Sequence, residues 1–376
     1  MFYSKRDFSF QRIIIFLECI VVPNISEAEK VTSMIKEALF YEPKDDGTVV
    51  CRLCPHNCVI REGKRGGCGV RENRGGKLFT LVYGAVSSMA VDPIEKKPLF
   101  HFYPGSNIFS ISTVGCNLHC QNCQNWQISQ VSIESGLTRD FSPEEIVKRT
   151  ERSGSRSIAY TYNEPFIWYE FVFDVAKLAH ERGIMNVLVT NGYIMEEPLR
   201  NIAPYIDAAN VDVKSMRDEF YKKICKAPGV KPVLDAILVM KEEKIHVELT
   251  YLIIPTLNDS EEEFREFARW VKENVGDDVP VHFSRFFPHY KLTDLPPTPP
   301  STVARAREIA MKEGLHYVYM GNIPGEGEDT LCPSCGERVI RRYGFTVLKC
   351  NLKDGKCPRC GERIPVIGEC RETKWW

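Results

Sequence analysis

The chain has no apolar run long enough to cross a bilayer. The best candidate, residues 13–22, is interrupted by Glu18, and a spanning helix needs about 20 apolar residues. No charge sign dominates either: 49 Lys and Arg stand against 50 Asp and Glu, so no global field favours nucleic acid or membrane. There is no phosphate-cradling glycine loop and no Ser/His/Asp set, which sets aside the familiar routes of nucleotide hydrolysis and acyl transfer. Lys5, Arg6 and Arg12 precede the apolar run in the manner of a signal peptide, but no small-residue cleavage site follows. Residues 13–22 are therefore expected to pack on the body as a helix or strand. A start of translation at Met34 is the alternative.

Cysteine, by contrast, is abundant, with 15 in 376 residues. Eleven fall into three tight groups, leaving Cys19, Cys225, Cys350 and Cys370 outside them. Short Cys-x-x-Cys units in a chain of this size indicate metal sites in a reducing, cytoplasmic setting, not a disulfide framework. Hydrophobic content of 43% and charged content of 26% are ordinary for a globular protein.

The central group is Cys116-Asn117-Leu118-His119-Cys120-Gln121-Asn122-Cys123, directly after the β-like run 108–113. Three thiolates can wrap one metal centre. A cubic iron–sulfur cluster takes four, so this loop leaves one iron open, and an open metal position serves substrate or cofactor. A structural zinc borrowing a fourth ligand is the competing reading.

From residue 108 onward short apolar runs alternate with amphipathic stretches, the pattern of β-α units and a parallel sheet. Strands are expected at 108–113, 157–162, 186–190, 208–213, 246–254, 281–286 and 317–320. Helices are expected from Ser142-Pro143-Glu144-Glu145, over 166–180 up to Gly183, from Asn258-Asp259-Ser260-Glu261, and over 301–313 up to Gly314. The result resembles an open (β/α) barrel. In parallel barrels the working groups sit on loops at the C-terminal strand ends. The polar residues collect there: the cysteine loop, Asn163 and Glu164, Asn191, Asp212 and Lys214, Arg285 and then His289. Read more plainly, Glu164 is a helix-start acid, and Asp212 with Lys214 a surface ion pair.

On these residues, 108–325 resembles the radical S-adenosylmethionine (SAM) superfamily. The resemblance implies an α/β fold with a partial (β/α) barrel, a [4Fe–4S] cluster on Cys116, Cys120 and Cys123, and SAM chelated to the open iron. Glu164 and Pro165 match the end of the family's Gly-Gly-Glu-Pro stretch, while Tyr162 and Asn163 replace its glycines. Asn163, Glu164, Asn191, Asp212 and Lys214 are the SAM-contacting positions implied. The family's aromatic before the third cysteine is Asn122 here, with Trp126 close by to take over.

Two further cysteine modules flank this region. Cys51, Cys54, Cys58 and Cys68, in a glycine-rich stretch with His56, suit zinc or an iron–sulfur cluster on count alone. Zinc is the preferred expectation, since no open position is implied. Cys332-Pro-x-Cys335-Gly and Cys357-Pro-x-Cys360-Gly have zinc-ribbon spacing, with a rubredoxin-like iron centre as the alternative. Between 331 and 368 eight Lys and Arg face three acids, either a solvated face or a contact for RNA or an acidic protein. Expected boundaries are an N-terminal extension (1–48), a Cys/Gly module with connector (49–107), the partial barrel (108–325) and the ribbon (326–376). Removing residues 327–376 is expected to leave the barrel folded.

Over 49–368 the whole arrangement, with its connector Asp92-Pro93-Ile94-Glu95-Lys96-Lys97-Pro98, resembles the radical SAM enzymes of the AmmeMemoRadiSam system. These are similar in turn to pyruvate formate-lyase activating enzymes. That resemblance implies a one-electron donor such as a flavodoxin or ferredoxin, and hydrogen abstraction from a protein or peptide, including glycyl-radical formation. RNA modification, and a non-enzymatic electron carrier or metal-ribbon adaptor, are the alternatives. No membrane partner is expected.

Overall fold

The computed structural model describes residues 35–373. Cys19 and the apolar run 13–22, with its expected packing on the body, lie outside the described residues. A strand β1 (Ser88–Pro93) pairs antiparallel with β2 (Asn107–Ser112). Six more strands add in parallel and in chain order: β3 (Ser157–Tyr160), β4 (Met185–Thr190), β5 (Ala208–Asp212), β6 (His246–Ile253), β7 (Val281–Arg285) and β8 (Val318–Gly321). All four residues of β3 are buried, as expected of a parallel strand covered on both faces. The edge strands β1 and β8 are not paired with each other among the described residues. The fold is thus α/β with a parallel sheet, and its seven parallel strands fall where the apolar runs predict them.

The connecting helices are α1 (Pro143–Ser153), α2 (Tyr169–Glu181), α3 (Glu196–Ile202), α4 (Lys231–Glu242), α5 (Glu261–Asn274) and α6 (Pro300–Lys312). The Ser142 hydroxyl caps α1 by accepting from Glu145 N–H at 3.2 Å, and Gly154 ends it at φ +69°. α5 is capped by Ser260, which accepts from Glu263 N–H at 3.3 Å. Asn258 instead turns inward, accepting from Ile254 N–H at 2.6 Å and donating to the Lys214 carbonyl at 2.7 Å. No described helix is long and apolar enough to cross a membrane.

The N-terminal ends of the strands are closed by residues 94–105 together with the C-terminal module. That module is a three-stranded sheet of β9 (Thr330–Leu331), β10 (Arg338–Tyr343) and β11 (Thr346–Cys350). It does not own its apolar core. Val339, Ile340, Val347, Ile364, Cys332 and Cys357 cluster with Phe100, Tyr317 and Tyr319 from the main body. Arg342 is fully buried, donates to the Phe100 carbonyl at 2.7 Å, sits 4.3 Å over the Phe100 ring and lies 3.8 Å from Glu95. Burial pushes the Glu95 carboxyl up to about 7, and Arg342 opposes that shift. Ile367 N–H donates to the His101 carbonyl at 2.7 Å, and Tyr103 N–H to the Ile367 carbonyl at 2.8 Å. Below them Glu248 accepts from the backbone of Phe100 (2.9 Å) and His101 (2.7 Å) and faces His282 Nε2 at 2.7 Å. Cys350 and Cys370, outside the three groups by spacing, are joined by a disulfide.

The shared core changes the expectation for truncation. Removing residues 327–376 would expose Phe100, Tyr317 and Tyr319 and take Arg342 from Glu95, and each large apolar side chain returned to water costs about 1.5–3 kcal/mol. The truncated chain should melt at a lower temperature and bind a hydrophobic dye. A calorimetric midpoint equal to that of the full chain would show that the sheet closes without the module.

Candidate metal and cofactor site

The Cys116 loop leaves the C-terminal end of β2 and has little regular structure of its own. Buried backbone groups must nonetheless be paired, and neighbouring segments supply the partners. Gly115 N–H donates to the Ile128 carbonyl (2.9 Å), His119 N–H to Cys225 (2.9 Å) and Gln121 N–H to Ile224 (3.0 Å). The last two acceptors come from a single π-helical turn, Tyr221–Cys225, closed by Lys226 at φ +61°. Gly115 itself sits at φ +89°, and a Cβ there would stand 2.8 Å from the Cys68 carbonyl oxygen. Only glycine lets the two cysteine regions approach so closely.

Asn117, whose importance the spacing does not reveal, is 2% exposed and ties three segments together. Its amide donates to the Tyr193 carbonyl at 2.8 Å and accepts from Asn191 Nδ2 at 2.9 Å. Its backbone carbonyl faces His56 Nε2 at 2.7 Å. Asn191 Nδ2 also lies 3.8 Å from Cys116 Sγ. Asn163 accepts from Thr113 N–H at 3.3 Å and donates to the Gly115 carbonyl at 2.9 Å.

Glu164 fulfils the plainer expectation: its carboxylate accepts from Phe166 N–H at 3.0 Å at the start of a short helix. It also accepts from Thr190 Oγ1 and Asn191 N–H, both at 2.8 Å. Burial pushes this carboxyl up to about 7, against those three hydrogen bonds. Burial, then the Glu164 charge, pushes the Cys116 thiol well up. Cys120 behaves oppositely. A hydrogen bond from the Cys225 thiol pulls it down, and the Lys214 ammonium helps against the effect of burial. Lys214 Nζ donates to Asp212 Oδ2 at 3.1 Å. Burial works against its charge, but Asp212, Cys120 and Cys225 outweigh it and raise the lysine's pKa. Cys123 Sγ lies 3.1 Å from Ser129 Oγ.

The structure therefore brings the three loop cysteines together with Asn163, Glu164, Asn191, Asp212 and Lys214. Arg285 is turned aside, donating to the Thr298 carbonyl at 2.7 Å. Trp126 stacks on Tyr290 with centroids 5.3 Å apart. Asn122 is buried with its Oδ1 unpartnered. Tyr162 takes φ +70°, the left-handed conformation that its family counterpart, a glycine, adopts without a steric cost of roughly 1–2 kcal/mol. Two buried residues of the connector hold it there. Lys97 Nζ lies 4.4 Å over its ring, and Asp92, bonded to Lys97 at 2.6 Å, accepts from its hydroxyl.

The Radical SAM superfamily pattern matches residues 110–271. The chain belongs to the radical SAM superfamily. Membership implies a [4Fe–4S] cluster and SAM. The chain is 49% identical over 319 residues to the uncharacterized protein MJ0808 of Methanocaldococcus jannaschii, covering 85% of this chain and 95% of that one. It is 27% identical over 201 residues to the pyruvate formate-lyase-activating enzyme of Clostridium pasteurianum, covering 48% of this chain and 80% of that one. It is also 28% identical over 188 residues to GTP 3′,8-cyclase of Lactiplantibacillus plantarum, covering 46% of this chain and 52% of that one. The last two are named for different reactions.

The other cysteine groups differ in geometry. Cys332 and Cys360 have sulfurs 3.5 Å apart, Cys335 and Cys357 3.7 Å, and all four lie within 4.8 Å of one another. Tetrahedral zinc at Zn–S of about 2.3 Å requires sulfurs roughly 3.8 Å apart, so this spacing fits one tetrahedral ion. Cys51, Cys54, Cys58 and Cys68 are also gathered. Burial, then repulsion from Cys68, Cys51 and Cys58, pushes Cys54 up to about 12.

Asn117→Ala should leave the Asn191 amide and the Tyr193 carbonyl without partners, a loss of about 1–3 kcal/mol. The expected outcome is a destabilised loop that holds less iron after anaerobic reconstitution. Wild-type iron content and denaturant midpoint in this variant would show that Asn117 is dispensable.

Proposed function

We propose that the chain is a radical SAM enzyme acting on a protein or peptide, its sheet forming the superfamily's partial (β/α) barrel. Cys116, Cys120 and Cys123 are the proposed cluster ligands, and Asn163, Glu164, Asn191, Asp212 and Lys214 the proposed SAM-binding residues. One observation carries the reading: these residues stand at the C-terminal ends of successive parallel strands, with Asn191 against Cys116 and Glu164, Lys214 against Asp212 and Cys120, and Asn163 bonded to the Gly115 carbonyl beside the loop. The donor set fits the group, since three thiolates leave one corner of a cubic cluster free.

When bound, the cluster and SAM supply a 5′-deoxyadenosyl radical able to take a hydrogen atom from the substrate. The chain's own residues bind and orient. Glu164 offers a buried carboxylate for the methionine ammonium, and Asn191 steadies the Cys116 side of the loop. Lys214 and Asp212 present a fixed charge pair beside Cys120. The low exposure of Asn117, Asn163 and Glu164 keeps water away from the reacting centre. A relative named as an activating enzyme supports a protein substrate and, with it, glycyl-radical formation. Cys332, Cys335, Cys357 and Cys360 are proposed to hold a structural zinc, with the domain boundaries as read above, and a flavodoxin or ferredoxin is the proposed electron donor. RNA is the second substrate reading, favoured by exposed Tyr343 and Phe345 among exposed Arg338, Arg341 and Lys349 on the C-terminal module, because aromatics flanked by cations suit base stacking.

Anaerobically reconstituted protein should cleave SAM to methionine and 5′-deoxyadenosine with dithionite. The Cys116→Ala/Cys120→Ala/Cys123→Ala variant should lose about four irons per chain and all cleavage. Cleavage that survives in this variant would overturn the assignment.

Glu164→Gln should keep the cluster but weaken SAM binding by about 1.5–3 kcal/mol, the worth of a hydrogen bond to a charged group. Equilibrium dialysis measures this. Unchanged affinity would leave Glu164 as a helix-start residue alone.

A further inference from the structure

We propose that Cys51, Cys54, Cys58 and Cys68 hold a second [4Fe–4S] cluster, ligated by four thiolates and seated against the Cys116 loop. The chain contains its own standard of comparison. In the C-terminal module four sulfurs have closed to the spacing of a single tetrahedral ion. In the N-terminal module no three ligand atoms lie within 4.8 Å of one another, although Cys54 and Cys68 each lie within electrostatic range of the other cysteines. The Cys116 loop is open in the same way. A cubic cluster holds its thiolates at four corners roughly 6 Å apart, and the wider set suits that spacing better than the roughly 3.8 Å of one zinc.

The ligand set is all thiolate, which a cluster shares with zinc. His56, the spare ligand suggested by the sequence, has its Nε2 2.7 Å from the Asn117 carbonyl and its ring 5.1 Å from that of Tyr193. Four free cysteines remain. Two donors already reach their sulfurs. Gly67 N–H lies 3.4 Å from Cys58 Sγ, and Arg71 Nη1 3.4 Å from Cys51 Sγ. Arg71 is 1% exposed and paired with the equally buried Glu170, and its Nε has no partner. A buried guanidinium directed at sulfur suits a thiolate centre and would be poorly matched by four neutral thiols.

The seat adjoins the first cluster's loop on three counts. Cys68 O meets the Gly115 position, His119 Nε2 faces the Gly67 carbonyl at 3.0 Å, and His56 faces Asn117. With all four irons capped by cysteine, such a centre has no place for substrate, and its chemistry is electron transfer. Resting on the function proposed above, the balance is simple. One electron from a low-potential protein donor takes the second cluster from +2 to +1. Passing that electron to the cluster on Cys116, Cys120 and Cys123 returns it to +2.

The test is elemental analysis and electron paramagnetic resonance of full-length protein reconstituted anaerobically with iron, sulfide and zinc. The expected wild type carries about eight irons and one zinc per chain. The Cys116→Ala/Cys120→Ala/Cys123→Ala variant should keep about four irons, with a reduced-cluster signal that SAM does not alter. Cys54→Ala/Cys58→Ala should keep about four irons, with a signal that SAM shifts. If the last variant does not fold, the first two preparations decide. A wild type with about four irons and two zincs, together with an iron-free triple variant, would overturn the proposal. A Cys54→Ala/Cys58→Ala protein whose cluster ignores SAM would instead sink the proposed function and leave the second cluster standing.

Discussion

A buried loop without secondary structure must borrow most of its hydrogen-bond partners, and much of this molecule is arranged around that demand. The Cys116 loop has little regular structure with which to pair its own backbone. The chain therefore brings carbonyls to it. The π-helical turn at 221–225 presents two in succession, to His119 and Gln121. Asn163, Asn191 and Tyr193, from the ends of β3 and β4, supply the rest. An unpaired buried amide costs about as much as a lost hydrogen bond, so Asn117, which bridges the loop to Asn191 and Tyr193, becomes structurally decisive.

The connector shows the same logic at longer range. Its residues Asp92 and Lys97 form a buried ion pair whose net stabilising value is small once desolvation is counted. Its value is positional. The pair grips Tyr162, whose left-handed backbone aims Asn163 and Glu164 at the cysteine loop. Where the superfamily has a flexible glycine, this chain has a strained tyrosine and a clamp to hold it.

The parallel strands were legible because a strand covered on both faces must be apolar throughout, and the cysteine groups because thiolate ligands have few spacings. Ser142 was readable as a cap for the same local reason. At α5 the expected start at Asn258-Asp259-Ser260-Glu261 holds, with Ser260 as the cap, while the Ile254 and Lys214 backbone draws Asn258 inward. α3 and α4 did not stand out as patterns. Cys225 could not be paired with Cys120 from sequence, since more than a hundred residues separate them. The C-terminal module read as self-contained because its cysteine knuckles are local, while its core is completed by Phe100 and Tyr317.

That shared core sets an order of events. Arg342 meets Phe100 across 242 residues of chain, and at a synthesis rate of about 5–20 residues per second the wait lasts tens of seconds on a ribosome. Throughout it Glu95 lacks its cation and the aromatic floor beneath the sheet lies open. The cysteine loop, made well before Arg342, takes shape over an unfinished base. Closure beneath the sheet is thus a late step in the birth of the protein, and a nascent chain stalled before Arg342 exposes the surface that chaperones bind.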